Sequence, residues 1–216
     1  MNRDNRKYFV GALCLLAAFA LWTLLVRIVD VQPIGPRESV VGFATMNAFI
    51  HNIFGVNITL YTITDWLGLV PIIVAFGFAV LGLAQLINRR SFLRVDYSVL
   101  ALGVLYVVVI GAYLLFESLV INYRPVLIEG YLEPSYPSST TLLVLCVIPT
   151  ATMQFKARVR NTALRNVVVL VLSLFTVFMV VGRIVSGVHW ISDIIGGLLL
   201  SGGLVTMYRA VSKVYQ

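Results

Sequence analysis

The sequence predicts an all-α membrane protein, a polytopic bundle of six transmembrane helices built as a single domain over residues 1–216. Of the 216 residues, 60% are hydrophobic and only 12% are charged. A soluble globular chain has roughly 45–50% apolar residues, so this chain has too little polar surface to face water. Six stretches are also apolar over most of the roughly 20 residues that a membrane-spanning helix needs.

The predicted spans are, in chain order, 8–29, 66–87, 97–118, 140–154, 166–181 and 190–207. The first follows a basic start, as the core of a signal peptide does. Its apolar stretch is too long for a signal peptide, so we expect it to be retained as a span.

The distribution of basic residues predicts which side of the membrane each connection faces. With the N-terminus in the cytoplasm, 12 of the 16 Lys and Arg residues, Lys213 among them, fall on the cytoplasmic side. Cytoplasmic loops carry the excess of Lys and Arg in membrane proteins. We therefore expect both termini inside the cell and the connections after spans 1, 3 and 5 outside it. The net charge of +7 does not indicate a nucleic-acid partner, because no basic run is interleaved with aromatic residues.

The connection between spans 1 and 2 is the longest on the outer side. Apolar residues recur there at helical spacing, and polar residues, His51 among them, occupy the rest of the helical wheel; the apolar positions are Phe43, Met46, Ile50 and Phe54. This pattern predicts a short amphipathic helix that lies in the outer membrane interface.

Four polar clusters fall near the outer boundary of the membrane. Ionisable residues at this depth are costly, so they indicate function. The orientation, derived without these clusters, puts all of them on one side, which predicts a single site. The clusters are Glu117, Arg124-Pro125, Pro137-Ser138-Ser139-Thr140, and Gly182-Arg183 with His189 and Asp193.

These residue types suit phosphoryl transfer. His189 and Asp193 are four residues apart and would share one face of a helix. A carboxylate on one imidazole nitrogen leaves the other free to attack phosphorus. Arg124 and Arg183 can clamp phosphoryl oxygens, and the helix start at 138–140 can cradle an anion. The arginines supply the charge stabilisation that a metal would otherwise give, so we expect no metal.

Each cluster also has a structural alternative. The His-x3-Asp pair could be a packing hydrogen bond, Arg124-Pro125 could end a helix, and the hydroxyl run at 138–140 could cap one. The small residues of the last span are interpreted as close helix packing; they are Gly196, Gly197, Ser201, Gly202 and Gly203.

The order Arg-Pro, Pro-Ser-x-x and Gly-Arg-x5-His-x3-Asp resembles the type-2 phosphatidic acid phosphatase superfamily of membrane lipid phosphatases. The resemblance implies that Arg124 and Arg183 bind phosphate and that Ser138 assists them. It implies that His189 is the nucleophile that becomes phosphohistidine and that Asp193 orients it. It also implies an enzyme without metal or cofactor that acts on a lipid phosphate, often at the outer face of the cytoplasmic membrane.

Three positions depart from the superfamily pattern. Glu117 replaces a lysine, Gly182 replaces a serine and Thr140 replaces a histidine. A threonine hydroxyl cannot protonate a leaving oxygen near neutral pH, as that histidine does. His51, the only other histidine, could substitute for it or could simply be interfacial. Glu117 could neutralise a site arginine or meet a cationic group on the substrate.

Two functions follow. The first is a working phosphatase, and the missing acid favours a substrate whose leaving group needs no proton. A phosphate leaving group has a second pKa of about 6 and departs unprotonated. This favours a lipid diphosphate such as undecaprenyl diphosphate over a glycerolipid phosphate or another monophosphate. The alternative is a catalytically silent relative that binds or presents a lipid phosphate.

Overall fold

The computed structural model describes residues 3–212, so Lys213 lies outside the described residues. The described chain forms eight α-helices: α1 (Arg3–Ile28), α2 (Ala44–Phe54), α3 (Ile58–Leu67), α4 (Leu69–Arg89), α5 (Tyr97–Ser118), α6 (Ser139–Arg158), α7 (Thr162–Val185) and α8 (Ile191–Val211). Six helical stretches are long and apolar enough to cross a membrane, with α3 and α4 forming one of them. The predicted all-α, six-span bundle is confirmed.

The second span begins earlier than predicted. It starts at Ile58 rather than at residue 66, because α3 continues into α4 with only Gly68 between them. The polar residues Thr62, Thr64 and Asp65 lower the hydropathy of α3, and this concealed it in the sequence pattern. The third span, 97–118, has the predicted bounds.

Helices α6 and α8 form the buried centre of the bundle. Helix α1 packs along α8, while α4 and α7 pack along α6 and α5 contacts both central helices. Small residues of α8 allow these close approaches: a Cβ atom on Gly203 would lie 2.7 Å from Leu16 of α1, and one on Gly197 would lie 3.1 Å from Thr141 of α6. The glycines of the last span therefore serve helix packing, as predicted.

The outer helices present large apolar side chains to the surroundings. Phe76 on α4, Val107 on α5 and Leu174 on α7 are 68%, 69% and 60% exposed, respectively. A water-soluble monomer rarely exposes so much apolar surface, whereas lipid chains would cover it. The predicted amphipathic helix is α2, although its polar Asn47 is buried against the bundle while Phe49 points outward.

The two ends of the bundle differ in character. At one end, Asp96 forms ion pairs with Arg89 at 2.9 Å and with Arg158 at 3.5 Å. The opposite end carries α2, the 119–138 connection, the start of α6 and the α7–α8 turn. All four predicted polar clusters lie at this opposite end.

Candidate active site

The connection between α5 and α6 folds back on itself and positions Arg124. The Arg124 N–H donates to the Glu133 carbonyl at 3.0 Å, and the Ser135 N–H donates to the Asn122 carbonyl at 2.9 Å. The pairing brings the Arg124 side chain to Glu133, with Nε and Oε2 3.0 Å apart. A cavity of about 240 Å³ opens beside this ion pair, and Arg124, His189 and Glu117 line it.

His189 and Asp193 meet, but not on one helical face. Helix α8 begins at Ile191, so His189 precedes the helix and the predicted shared helical face is wrong. Asp193 instead caps the helix: its Oδ2 accepts a hydrogen bond from the Trp190 N–H at 3.0 Å. The same Oδ2 lies 3.8 Å from His189 Nδ1, and both side chains are buried. The capping interaction therefore fixes the carboxylate near Nδ1 of the imidazole ring.

A buried polar network holds the other oxygen of Asp193. Asn122 Nδ2 donates to Asp193 Oδ1 at 3.1 Å. Next to it, Asn47 of α2 donates to Ser192 Oγ at 2.9 Å and accepts from the Ser192 N–H at 3.1 Å. Buried polar groups that satisfy one another in this way fix a single geometry.

The environment of His189 disfavours protonation of its ring. Burial lowers the pKa of His189 well below its usual value of 6.5, and the charges of Arg124 and Arg183 lower it further. Its Nε2 lies 3.5 Å from Arg124 Nη1, on the side of the ring away from Asp193. A neutral imidazole whose Nε2 faces a guanidinium is suited to attack a phosphoryl group that the guanidinium binds.

Arg183 is 1% exposed and only partly satisfied. Its Nη2 donates to Asp65 Oδ1 at 2.9 Å and contacts the Thr140 hydroxyl. Its Nε and Nη1 have no hydrogen-bond partner within residues 3–212. Because buried N–H groups without acceptors are costly, this edge of the guanidinium is suited to anion binding. The Tyr61 ring lies 5.0 Å from Arg183 Cζ and 5.7 Å from Arg124 Cζ.

The three hydroxyl residues at the start of α6, Ser138, Ser139 and Thr140, have different roles. Ser138 is fully buried and caps the helix, with its Oγ accepting from the Thr141 N–H at 3.5 Å. Ser139 lines the cavity, and Thr140 faces Arg183. The positive end of α6 therefore points into the site, as an anion site at a helix N-terminus requires.

The two remaining candidates occupy different places. Glu117 lines the cavity, but in the described part of the chain it forms no ion pair with either site arginine, whose carboxylate partners are Asp65 and Glu133. His51 lies with its ring 5.5 Å from that of Trp190 and outside the cavity lining.

The sequence reasoning missed four residues of this site: Tyr61, Asp65, Asn122 and Glu133. Asp65 directly precedes the predicted second span, and an acid at that depth is itself a signal of function. Asn122 and Glu133 could not have been found, because their role depends on how the 119–138 connection folds back.

The fold and the site together define an integral membrane protein with a polar cavity, lined by Arg124 and His189, at one end of a helical bundle. Residues 118–215 match the family profile of the PAP2 superfamily. The fold is similar to that of a solved structure described as the first transmembrane PAP2 type phosphatidylglycerolphosphate phosphatase from Bacillus subtilis. The TM-score is 0.63 and the identity 15%, over 95% of this chain and 97% of that chain. No curated protein sequence gives a significant match. The resemblance to the type-2 phosphatidic acid phosphatase superfamily is confirmed.

Proposed function

We propose that this protein is a metal-independent membrane lipid phosphatase that works through a phosphohistidine on His189. The observation that carries the proposal is the position of His189 Nε2. This nitrogen lies 3.5 Å from Arg124, its ring has a lowered pKa, and His189 lines a cavity of about 240 Å³. The family match and the similar fold of a membrane lipid phosphatase support the same activity.

In the proposed first step, the phosphoryl oxygens bind Arg124 and the free Nε and Nη1 of Arg183. His189 Nε2 attacks phosphorus as the bond to the leaving oxygen breaks. Asp193, 3.8 Å from Nδ1, stabilises the positive charge that develops on the ring. The arginines and the start of α6 neutralise the transferring group, the role that a metal plays in other phosphatases.

An apolar groove next to the cavity supports a lipid substrate. It has a volume of about 520 Å³, runs between α4, α5 and α6, and is lined by Leu69, Ile72, Ile110 and Leu143 among others. Tyr113, Ser139 and Leu142 line both the groove and the cavity. A substrate with its phosphate at the arginines would therefore lay its hydrocarbon chain in the groove.

The leaving group favours a diphosphate over a monophosphate. Thr140 contacts Arg183 and offers no acid to protonate an alkoxide. A lipid phosphate leaves without a proton, so we propose that a lipid diphosphate such as undecaprenyl diphosphate is cleaved faster than a glycerolipid phosphate.

We place the site at the extracytoplasmic face and both termini in the cytoplasm. The support is the excess of Lys and Arg in the opposite loops. An impermeant thiol reagent applied to intact cells should label a cysteine introduced at the exposed Tyr131 and not one introduced at the exposed Leu93, in a Cys14→Ser background. The reverse pattern would overturn this orientation.

The activity itself is tested by phosphate release from purified protein in detergent with a chelator present. Undecaprenyl diphosphate, phosphatidylglycerophosphate and phosphatidic acid are compared, with His189→Ala as the control. We expect release that the variant lacks and that is fastest for the diphosphate. Tight lipid-phosphate binding without any release would instead support the catalytically silent relative.

A further inference from the structure

We propose that Asp65 is the general base that activates water to hydrolyse the phosphohistidine. The inference rests on the proposed function. The structure brings the Asp65 carboxylate to Arg183, with Oδ1 2.9 Å from Nη2, and the same Nη2 contacts the Thr140 hydroxyl. Asp65 therefore lies beside the proposed phosphate position. It is next to Thr140, the residue that replaces the superfamily's proton-donating histidine.

The local fold fixes Asp65 at this corner. The preceding residue, Thr64, is fully buried against Gly182, the residue before Arg183. The start of α3 is also held, because the Asn57 N–H donates to the Ser186 carbonyl at 3.0 Å. Two contacts thus tie α3 to the end of α7 and direct Asp65 towards the guanidinium.

Asp65 also lies on the side from which water must arrive. Hydrolysis reverses the geometry of the first step, so water attacks phosphorus from the position that the leaving group has vacated. The lipid groove marks that position, and Asp65 and Thr140 line its polar end. The Asp65 side chain is 56% exposed, and α3 with α4 forms a stretch of 32 residues, longer than the roughly 20 residues that cross a membrane. We therefore place Asp65, near the outer end of this stretch, in the interface, where water can reach it and take up its proton.

The other carboxylates near the site are badly placed for this role. Asp193 is fully buried and faces His189 Nδ1, on the far side of the nucleophile. Glu133 pairs with Arg124, which itself contacts His189 Nε2, so it lies on the nucleophile's side. Glu117 lines the cavity but not the groove.

The proposed step balances. A water oxygen forms a bond to phosphorus while the bond between phosphorus and His189 Nε2 breaks, and its electron pair returns to the ring. The water proton passes to the Asp65 carboxylate as the new bond forms. Inorganic phosphate leaves, and the proton then passes from Asp65 to solvent. No other reactant is needed.

The test separates the two half-reactions. Asp65→Asn is mixed rapidly with undecaprenyl diphosphate, and the lipid product and protein-bound phosphate are followed in time. We expect a burst of about one lipid product per protein, accumulation of acid-labile phosphate on the protein, and a steady-state rate about 10²–10⁴-fold below that of the unaltered protein. Affinity for inorganic phosphate should change far less.

Two further variants distinguish a general base from a residue that only positions Arg183. Asp65→Ala should recover turnover when formate is added, because a small carboxylate can occupy the vacated space and accept the proton. Glu133→Gln, which removes the carboxylate partner of the other arginine, should show neither phosphoenzyme accumulation nor formate rescue. If Asp65→Asn instead loses the burst and phosphate affinity together and formate has no effect, Asp65 only positions Arg183 and the inference is wrong. If the unaltered protein forms no phosphoenzyme and releases no phosphate, the proposed function fails and this inference fails with it.

Discussion

Gly182 of α7 lies directly against Thr64 of α3, so closely that a Cβ atom on Gly182 would be 2.7 Å from Thr64 Cγ2. The superfamily pattern has a serine at this position, and the structure gives a physical reason for the glycine. Any side chain there would push α3 away from α7 and move Asp65 away from Arg183, two groups now 2.9 Å apart.

Gly182→Ala should therefore destabilise the protein and lower its activity. Overpacking of this kind costs about 1–3 kcal/mol, which should appear as a lower thermal unfolding temperature in detergent. Adding Thr64→Ser removes the colliding methyl group and keeps the hydroxyl, so the double variant should regain most of the loss.

Gly111→Ala is the matched control, since a Cβ atom on this helical glycine meets nothing within 4 Å. It should leave stability unchanged or raise it, because alanine favours a helix more than glycine does. Equal losses in both variants, or no rescue by Thr64→Ser, would show that the contact between α3 and α7 is not what requires glycine.

Asn122→Ala should lower kcat with little change in KM. The variant leaves Asp193 Oδ1 without its amide donor, now at 3.1 Å, so the carboxylate that lies 3.8 Å from His189 Nδ1 is held less firmly. Leaving a buried acceptor without a partner costs about 1–3 kcal/mol, and if the transition state bears this cost, kcat should fall roughly 5-fold to 160-fold.

The control for Asn122 is Asn161→Ala. Asn161 also uses its side-chain oxygen to accept a hydrogen bond, from the Leu164 N–H at 3.0 Å, but it does so at the start of α7, away from the site. This variant should lose stability without losing kcat. A kcat that falls equally in both variants would mean that Asn122 has no positioning role.

His189 should remain neutral in mildly acidic solution. Burial and two neighbouring arginines lower the pKa of His189 well below 6.5. Between the lowered pKa of the folded state and 6.5, the unfolded chain holds more protons at this residue than the folded chain does. The contribution of His189 to the free energy of unfolding should therefore fall as the pH falls from 6.5.

Nitrogen NMR of histidine-labelled protein tests this directly, because the chain has only two histidines and His51→Gln leaves the signal of His189 alone. The ring shifts should stay those of a neutral imidazole from pH 7 to pH 5. A titration midpoint near 6.5 would contradict the description of the site.

The negative charge of Glu117 should weaken phosphate binding in the unaltered protein, so removing this charge should lower KM. It lines the cavity and pairs with neither site arginine in the described structure. Glu117→Gln should lower KM about twofold to fivefold and Glu117→Lys about fivefold to twentyfold, as expected for charges several Å apart in a solvated cavity. An increase of KM in both variants would instead indicate that Glu117 meets a cation on the substrate. Unchanged values would exclude both roles.

The sequence was sufficient for the architecture because hydropathy and length govern membrane spans directly. It also placed Arg124, Arg183, His189 and Asp193 at one end of the bundle, where the structure has them. The contacts within the site were not predictable in the same way. The link between His189 and Asp193 depends on a helix cap, and Asp65 reaches Arg183 only because α3 packs on α7. Such contacts arise from tertiary packing, which periodicity does not encode.

The central claim is that His189 carries the phosphoryl group, and the most direct test is to trap and locate that group. Protein mixed with undecaprenyl diphosphate labelled in its terminal phosphate is quenched in base, digested and examined by mass spectrometry. We expect phosphate on the peptide that contains His189, stable in base and lost in acid, and none above background in Asp193→Asn or His189→Ala. Phosphate release that proceeds unchanged in His189→Ala, or phosphate found on another residue, would contradict it.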